Sequence, residues 1–159
     1  MTPRSERVAI SNLAWDLDED PEIRQALHSL GVRGVEIAPS KIWEHPLAVS
    51  PDEVKQYREY WAEADIAIVS LQSLCFGRPD LQLFESETQR SALLDHLVGM
   101  CELAVALGAE HLVYGSPKQR VRGDLRLADA ESIAVDFFAS LGERAESLGV
   151  IVCFEPNAA

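Results

Sequence analysis

Cations are scarce in this sequence: 14 Lys and Arg stand against 26 Asp and Glu, a formal net charge of −12. A surface of that sign repels phosphate backbones, so nucleic acid is not an expected partner. Long apolar runs are missing too. None reaches the roughly 18 residues needed to span a bilayer, and the polar opening from Met1 to Glu6 leads into no signal core, which argues against membrane and secretory readings and for a cytoplasmic protein. Cysteine is limited to Cys75, Cys101 and Cys153, without metal-type spacing; these read as reduced thiols. The four histidines form no metal pattern: His28 and His96 fall in helical stretches, His111 at the wrong end of a strand, and only His45 in a suitable loop. No Gly-x-Gly-x-x-Gly, phosphate-loop or nucleophile-elbow signature occurs. For 159 residues, 47% hydrophobic and 25% charged, the classes left are a one-domain small-molecule enzyme or an interaction module.

Strand-like apolar runs alternate with amphipathic helices along the whole chain. The predicted strands are Val8–Ser11, Gly34–Ala38, Ile66–Leu71, His111–Tyr114 and Val150–Phe154. The first helix is predicted from about Pro21 to Leu30, with Asp20 as N-cap ahead of a proline at the first helical position. The second opens on a capping box, Ser50 with Glu53, and carries Val54, Tyr57, Trp61 and Ala64 on one side. The third spans about Glu87 to Leu107 and the fourth about Ala130 to Leu148. Three helices stop at Leu-Gly (Leu30-Gly31, Leu107-Gly108, Leu148-Gly149), and a strand follows each time. Glycine accepts the left-handed backbone of a helix C-terminus, which makes this a weak internal repeat.

Helices between successive strands imply parallel strands joined by right-handed crossovers. Two α/β architectures fit. The strand-to-strand spacing averages about 35.5 residues, so a (β/α)8 barrel would need about 284 residues. The chain then holds about four and a half βα units, strands one to five of a barrel. The alternative is a small open doubly wound sheet. In both, ligands bind at the carboxyl ends of the strands, which selects Asn12 and Trp15 after strand one, Glu36 at strand two, Gln72 after strand three, Ser116, Lys118 and Arg120 after strand four, and Glu155 and Asn157 after strand five.

Glu155 is the sharpest of these. A carboxylate closing the run from Val150 to Phe154 needs a cation or donor beside it, and Pro156 holds it extended. Glu36, between Val35 and Ile37, either faces the barrel interior to orient a polyol or pairs with an arginine such as Arg33. The segment from Gly115 to Arg120 reads as an anion clamp for a phosphate or carboxylate, or as a solvated loop. Trp61 belongs to the core, whereas Trp15 and Trp43 could wall a sugar ring or simply pack.

Taken in order, Ile10-Ser11-Asn12-Leu13-Ala14-Trp15, Gly34-Val35-Glu36-Ile37, Ser70-Leu71-Gln72-Ser73-Leu74, Ala106-Leu107-Gly108-Ala109, Tyr114-Gly115-Ser116-Pro117 and Phe154-Glu155-Pro156-Asn157 resemble the xylose-isomerase-like TIM-barrel superfamily of sugar phosphate isomerases and epimerases, which also holds the endonuclease IV-type enzymes. The resemblance implies a divalent cation (Mn, Mg or Zn), with Glu155 as its strand-five ligand and catalytic residue. It further implies Asp, His and Glu ligands on later strands, and hydrogen transfer on a ketose, aldose or polyol. The residues matching those later ligands would lie past Ala159. This chain alone is therefore expected to be inactive and to hold no metal tightly. A shortened chain is favoured over a natural half-barrel that pairs and over a non-catalytic relative. The expected partners are a small sugar or sugar phosphate and, because a cut sheet exposes two edges, further copies of the chain. An endonuclease IV-type nuclease is disfavoured by the charge and by missing histidines at the ends of strands three and four; a non-catalytic binding or oligomerising module is the other alternative.

Overall fold

The computed structural model describes residues 8–156. Five strands, β1 (Ala9–Ser11), β2 (Gly34–Ile37), β3 (Ala67–Leu71), β4 (His111–Tyr114) and β5 (Ile151–Phe154), form one sheet in the order β1-β2-β3-β4-β5, and every pairing is parallel. The helices are α1 (Asp20–Ser29), α2 (Pro39–Ile42), α3 (Pro51–Ala62), α4 (Glu87–Leu107) and α5 (Leu127–Leu148). The strand order decides the architecture. A doubly wound sheet reverses direction at a switch point so that helices cover both faces. Here each strand lies beside its predecessor, and right-handed crossovers then stack on one face. The open doubly wound alternative is therefore wrong, and the sheet is an arc of a barrel.

The two faces differ as that arrangement requires. Val35, Ile37, Ile68, Leu71, Leu112 and Tyr114 are buried against Trp61 of α3, Leu97, Cys101 and Ala104 of α4 and Phe137 and Leu141 of α5. A register shift after Val35, which pairs Glu36 with Ser70 and skips Val69, keeps Leu71 in phase with Ile37. Ser11, Glu36, Ser70, Val113 and Cys153, all of the opposite phase, are only partly buried. Trp61 is fully buried in an aromatic cluster with Trp15, Tyr57 and Tyr60; it is core, as its helix face requires.

Local chemistry explains the boundaries. The Ser50–Glu53 capping box forms as read from the sequence. Glycines 108 and 149 cap α4 and α5 in the left-handed conformation, and Gly31 is left-handed just past the end of α1. Asp20 is not an N-cap, because it is already helical and Glu19 precedes it as the cap. Its carboxylate is instead buried and accepts a 2.5 Å bond from the Trp15 indole nitrogen. Burial raises the Asp20 carboxyl above its usual range, opposed by that bond and by Lys41. No described helix is long and apolar enough to cross a membrane.

Candidate functional site

The carboxyl ends of the strands carry polar side chains on the uncovered face. Ser70 Oγ donates to Glu36 Oε2 at 2.8 Å, a bond between neighbouring strands that holds the carboxylate over the sheet. The ion pair with Arg33 does not form; that guanidinium goes to Asp65 at 3.1 Å. The Gln72 amide donates to Ser11 Oγ, tying the end of β3 to that of β1 across β2. Glu36 and Gln72 thus lie on the face that a closed barrel would turn inward.

Glu155 continues the same phase as Cys153, one residue past β5. Its amide donates to the Tyr114 carbonyl at 3.1 Å, extending the β4–β5 ladder. Its carboxylate lies directly over Gly115, where a Cβ would come within 2.5 Å of Oε2. Gly115 is thus a cradle at the end of β4 that only a missing side chain leaves open. The sequence carried a signal for this, a glycine at a strand end opposite a strand-end acid, but only the register revealed that the two meet.

The proposed anion clamp comes apart. The Arg120 guanidinium lies 4.3 Å from the centre of the Phe154 ring and 5.7 Å from that of Tyr114, and its Nη2 donates to the Glu155 carbonyl at 3.0 Å. Lys118 is exposed on the preceding short 3-10 turn, Pro117–Arg120, and Ser116 ahead of it has a left-handed backbone, φ 40°. Arg120 is thus committed to the end of β5, whereas Lys118 stays at the surface. The hydrogen bond from Arg120 reaches the main chain of Glu155.

The two candidate residues after strand one are buried. Asn12 is buried, and its Oδ1 accepts from the Ala38 amide at 2.8 Å. Trp15 is buried against Trp61 and bonded to Asp20, so it packs rather than walls an open cleft. Lys41, which sequence reading did not single out, donates to the carbonyls of Asn12 and Trp15 and closes this corner. Trp43 packs edge-on against Tyr57. Asn157 lies outside the described residues. Burial pushes the Cys75 and Cys101 thiols up to about 11, so neither offers a thiolate near neutral pH.

The five-stranded parallel arc is matched, over residues 24–159, by the family profile of the xylose isomerase-like TIM barrel. The chain belongs to this family. Solved structures agree on the fold. D-psicose 3-epimerase in the presence of D-fructose is 15% identical with a TM-score of 0.69, over 92% of this chain and 50% of that one. The IolI protein with a zinc atom is 19% identical with a TM-score of 0.67, over 92% and 50%. The 3-keto-D-glucoside 4-epimerase of E. coli is 16% identical with a TM-score of 0.68, over 95% and 56%. The chain thus spans about half the length of these solved structures. No functionally curated protein matches it by sequence.

For a divalent cation, the donor chemistry fits at Glu155: a hard oxygen ligand, held over a glycine rather than against a side chain. Among the described residues no three His, Cys, Asp or Glu side chains cluster to hold an ion.

Proposed function

We propose that this chain supplies the β1–β5 part of a metal-assisted isomerase or epimerase site acting on a small sugar or sugar phosphate. The observation that carries the reading is the Glu155 carboxylate over Gly115, on the same uncovered face as Glu36 and Gln72. Glu155 would give a divalent cation one carboxylate, and other ligands would come from residues outside the described ones. When bound, such a cation polarises a substrate carbonyl and lowers the barrier to removing the adjacent proton. This chain's own residues would then bind and orient. Glu36, fixed by Ser70, accepts a sugar hydroxyl, and the Gln72 amide both donates and accepts. Lys118 is the cation left to meet a phosphate. Glu155, if not fully engaged as a ligand, is the group placed to hold the mobile proton.

The reading is tested on the chain as it is. Titration with Mn2+ should broaden the amide resonances of Gly115 and Glu155 first, weakly and saturably, and Glu155→Gln should abolish this. A ketose added in excess should shift the signals around Glu36 and Gln72. Broadening scattered over the acidic helix surfaces, unchanged in Glu155→Gln, would overturn it.

A further inference from the structure

Gly115 lies just past β4, the strand beside β5, and Arg120 on the turn that follows, and neither reaches a substrate in the reading above. Both touch Glu155 in ways that determine where its carboxylate sits. Arg120 holds the backbone: Nη2 donates to the Glu155 carbonyl at 3.0 Å while the guanidinium plane rests 4.3 Å over the Phe154 ring. Phe154 is itself fixed from behind by Phe138 of α5 at 5.2 Å, edge to face. The turn after β4 is thus strapped onto the end of β5, at the one residue where the ladder stops. A planar, always-charged guanidinium can stack and donate at once, which an ammonium cannot. Gly115 acts on the side chain. Its φ is not in the left-handed region, so its backbone would accept alanine, yet an added Cβ would stand 2.5 Å from Glu155 Oε2. The carboxylate, at the far end of a flexible side chain, is the atom group that would have to move.

We infer that Arg120 and Gly115 are positioning residues that fix the Glu155 carboxylate above the end of β4, Arg120 through the Glu155 carbonyl and Gly115 by leaving the space. This rests on the proposed function for its purpose, but its structural content stands separately. It also replaces the anion-binding role that a cationic loop suggests for Arg120.

Two variants test it. Arg120→Met keeps the apolar packing on Phe154 and removes the donor; amide exchange at Glu155 should quicken by about tenfold while β1 to β3 stay protected, and Arg120→Lys should recover only part of the protection. Gly115→Ala should leave the melting temperature and the Glu155 amide unchanged but weaken Mn2+ binding about tenfold, as loss of a supporting contact does. Unchanged exchange at Glu155 in Arg120→Met, or full-strength Mn2+ broadening in Gly115→Ala, would overturn the inference. If the exchange result holds while the wild-type chain shows no Mn2+ effect at Glu155, the positioning by Arg120 stands and the metal reading fails.

Discussion

At the scale of single residues, burial rather than sequence position assigns roles. His96 sits in the middle of α4, where a histidine draws no attention. Its Nε2 lies 2.8 Å from the Leu74 carbonyl, which can only accept, so Nε2 carries the hydrogen and Nδ1 accepts from Arg78 at 3.3 Å. The ring is therefore neutral, and its affinity for a second proton is lowered, first by burial and then by Arg78, against the Leu74 bond. Below the ordinary value of 6.5 the unfolded chain takes up a proton that the folded chain resists, so stability is lost as pH falls through that value. Urea unfolding at about pH 7.5 and about pH 5.5 should show the loss, and His96→Gln should reduce it. Asp20 has the opposite sign: its raised carboxyl binds a proton more tightly when folded, so it adds stability as pH falls through its own range and cannot mimic the His96 effect. An equal loss in the His96 variant would remove the residue from this account.

At the scale of the element, α5 holds two glycines with open space around the missing Cβ and opposite backbones. Gly142 is inside the helix; Gly149 caps it at φ 74°. Alanine at 142 meets nothing and gains helix propensity, so Gly142→Ala should stabilise by about 0.5–1 kcal/mol. Alanine at 149 must adopt the left-handed conformation, and Gly149→Ala should destabilise by about 1–2 kcal/mol. Thermal melts of the two variants, referred to the wild type, check both signs at once. The contrast shows what the Leu-Gly repeat means physically: the helix ends where a residue without Cβ can turn the chain toward the next strand.

At the scale of the molecule, β1 and β5 are the edge strands of the sheet among the described residues. Beyond β5 lies an apolar groove of about 660 Å³ between Phe138, Leu141 and Ala145 of α5 and Val150, Val152 and Phe154. Ile151 is 57% exposed and Phe154 50%. In a solution of this chain alone, another copy can cover the open side of this uncharged strand. The isolated chain should therefore sediment as a dimer or larger at micromolar concentration. Ile151→Lys, a charge on the edge strand, should shift it toward monomer. A wild-type monomer that melts cooperatively would show that the edge is tolerated as it is.

The sequence by itself determined the five strands, the four longer helices and their order, though not the short α2, because hydrophobic periodicity, the Ser50–Glu53 box and the terminal glycines are local signals that need no partner to act. It also placed Glu155, Glu36 and Gln72 at strand ends. It could not choose between a doubly wound sheet and a barrel arc, since the pattern of strands and helices is the same in both. That choice is made by which strand lies beside which. Nor could it separate the two cations of the β4 turn. Arg120 faces Phe154 and the Glu155 carbonyl only because β5 returns beside β4 some 35 residues later, and Asp20 became a partner of Trp15 instead of a cap because the fold buries both. Roles that depend on contacts between distant segments come from packing, and packing is a property of the whole chain.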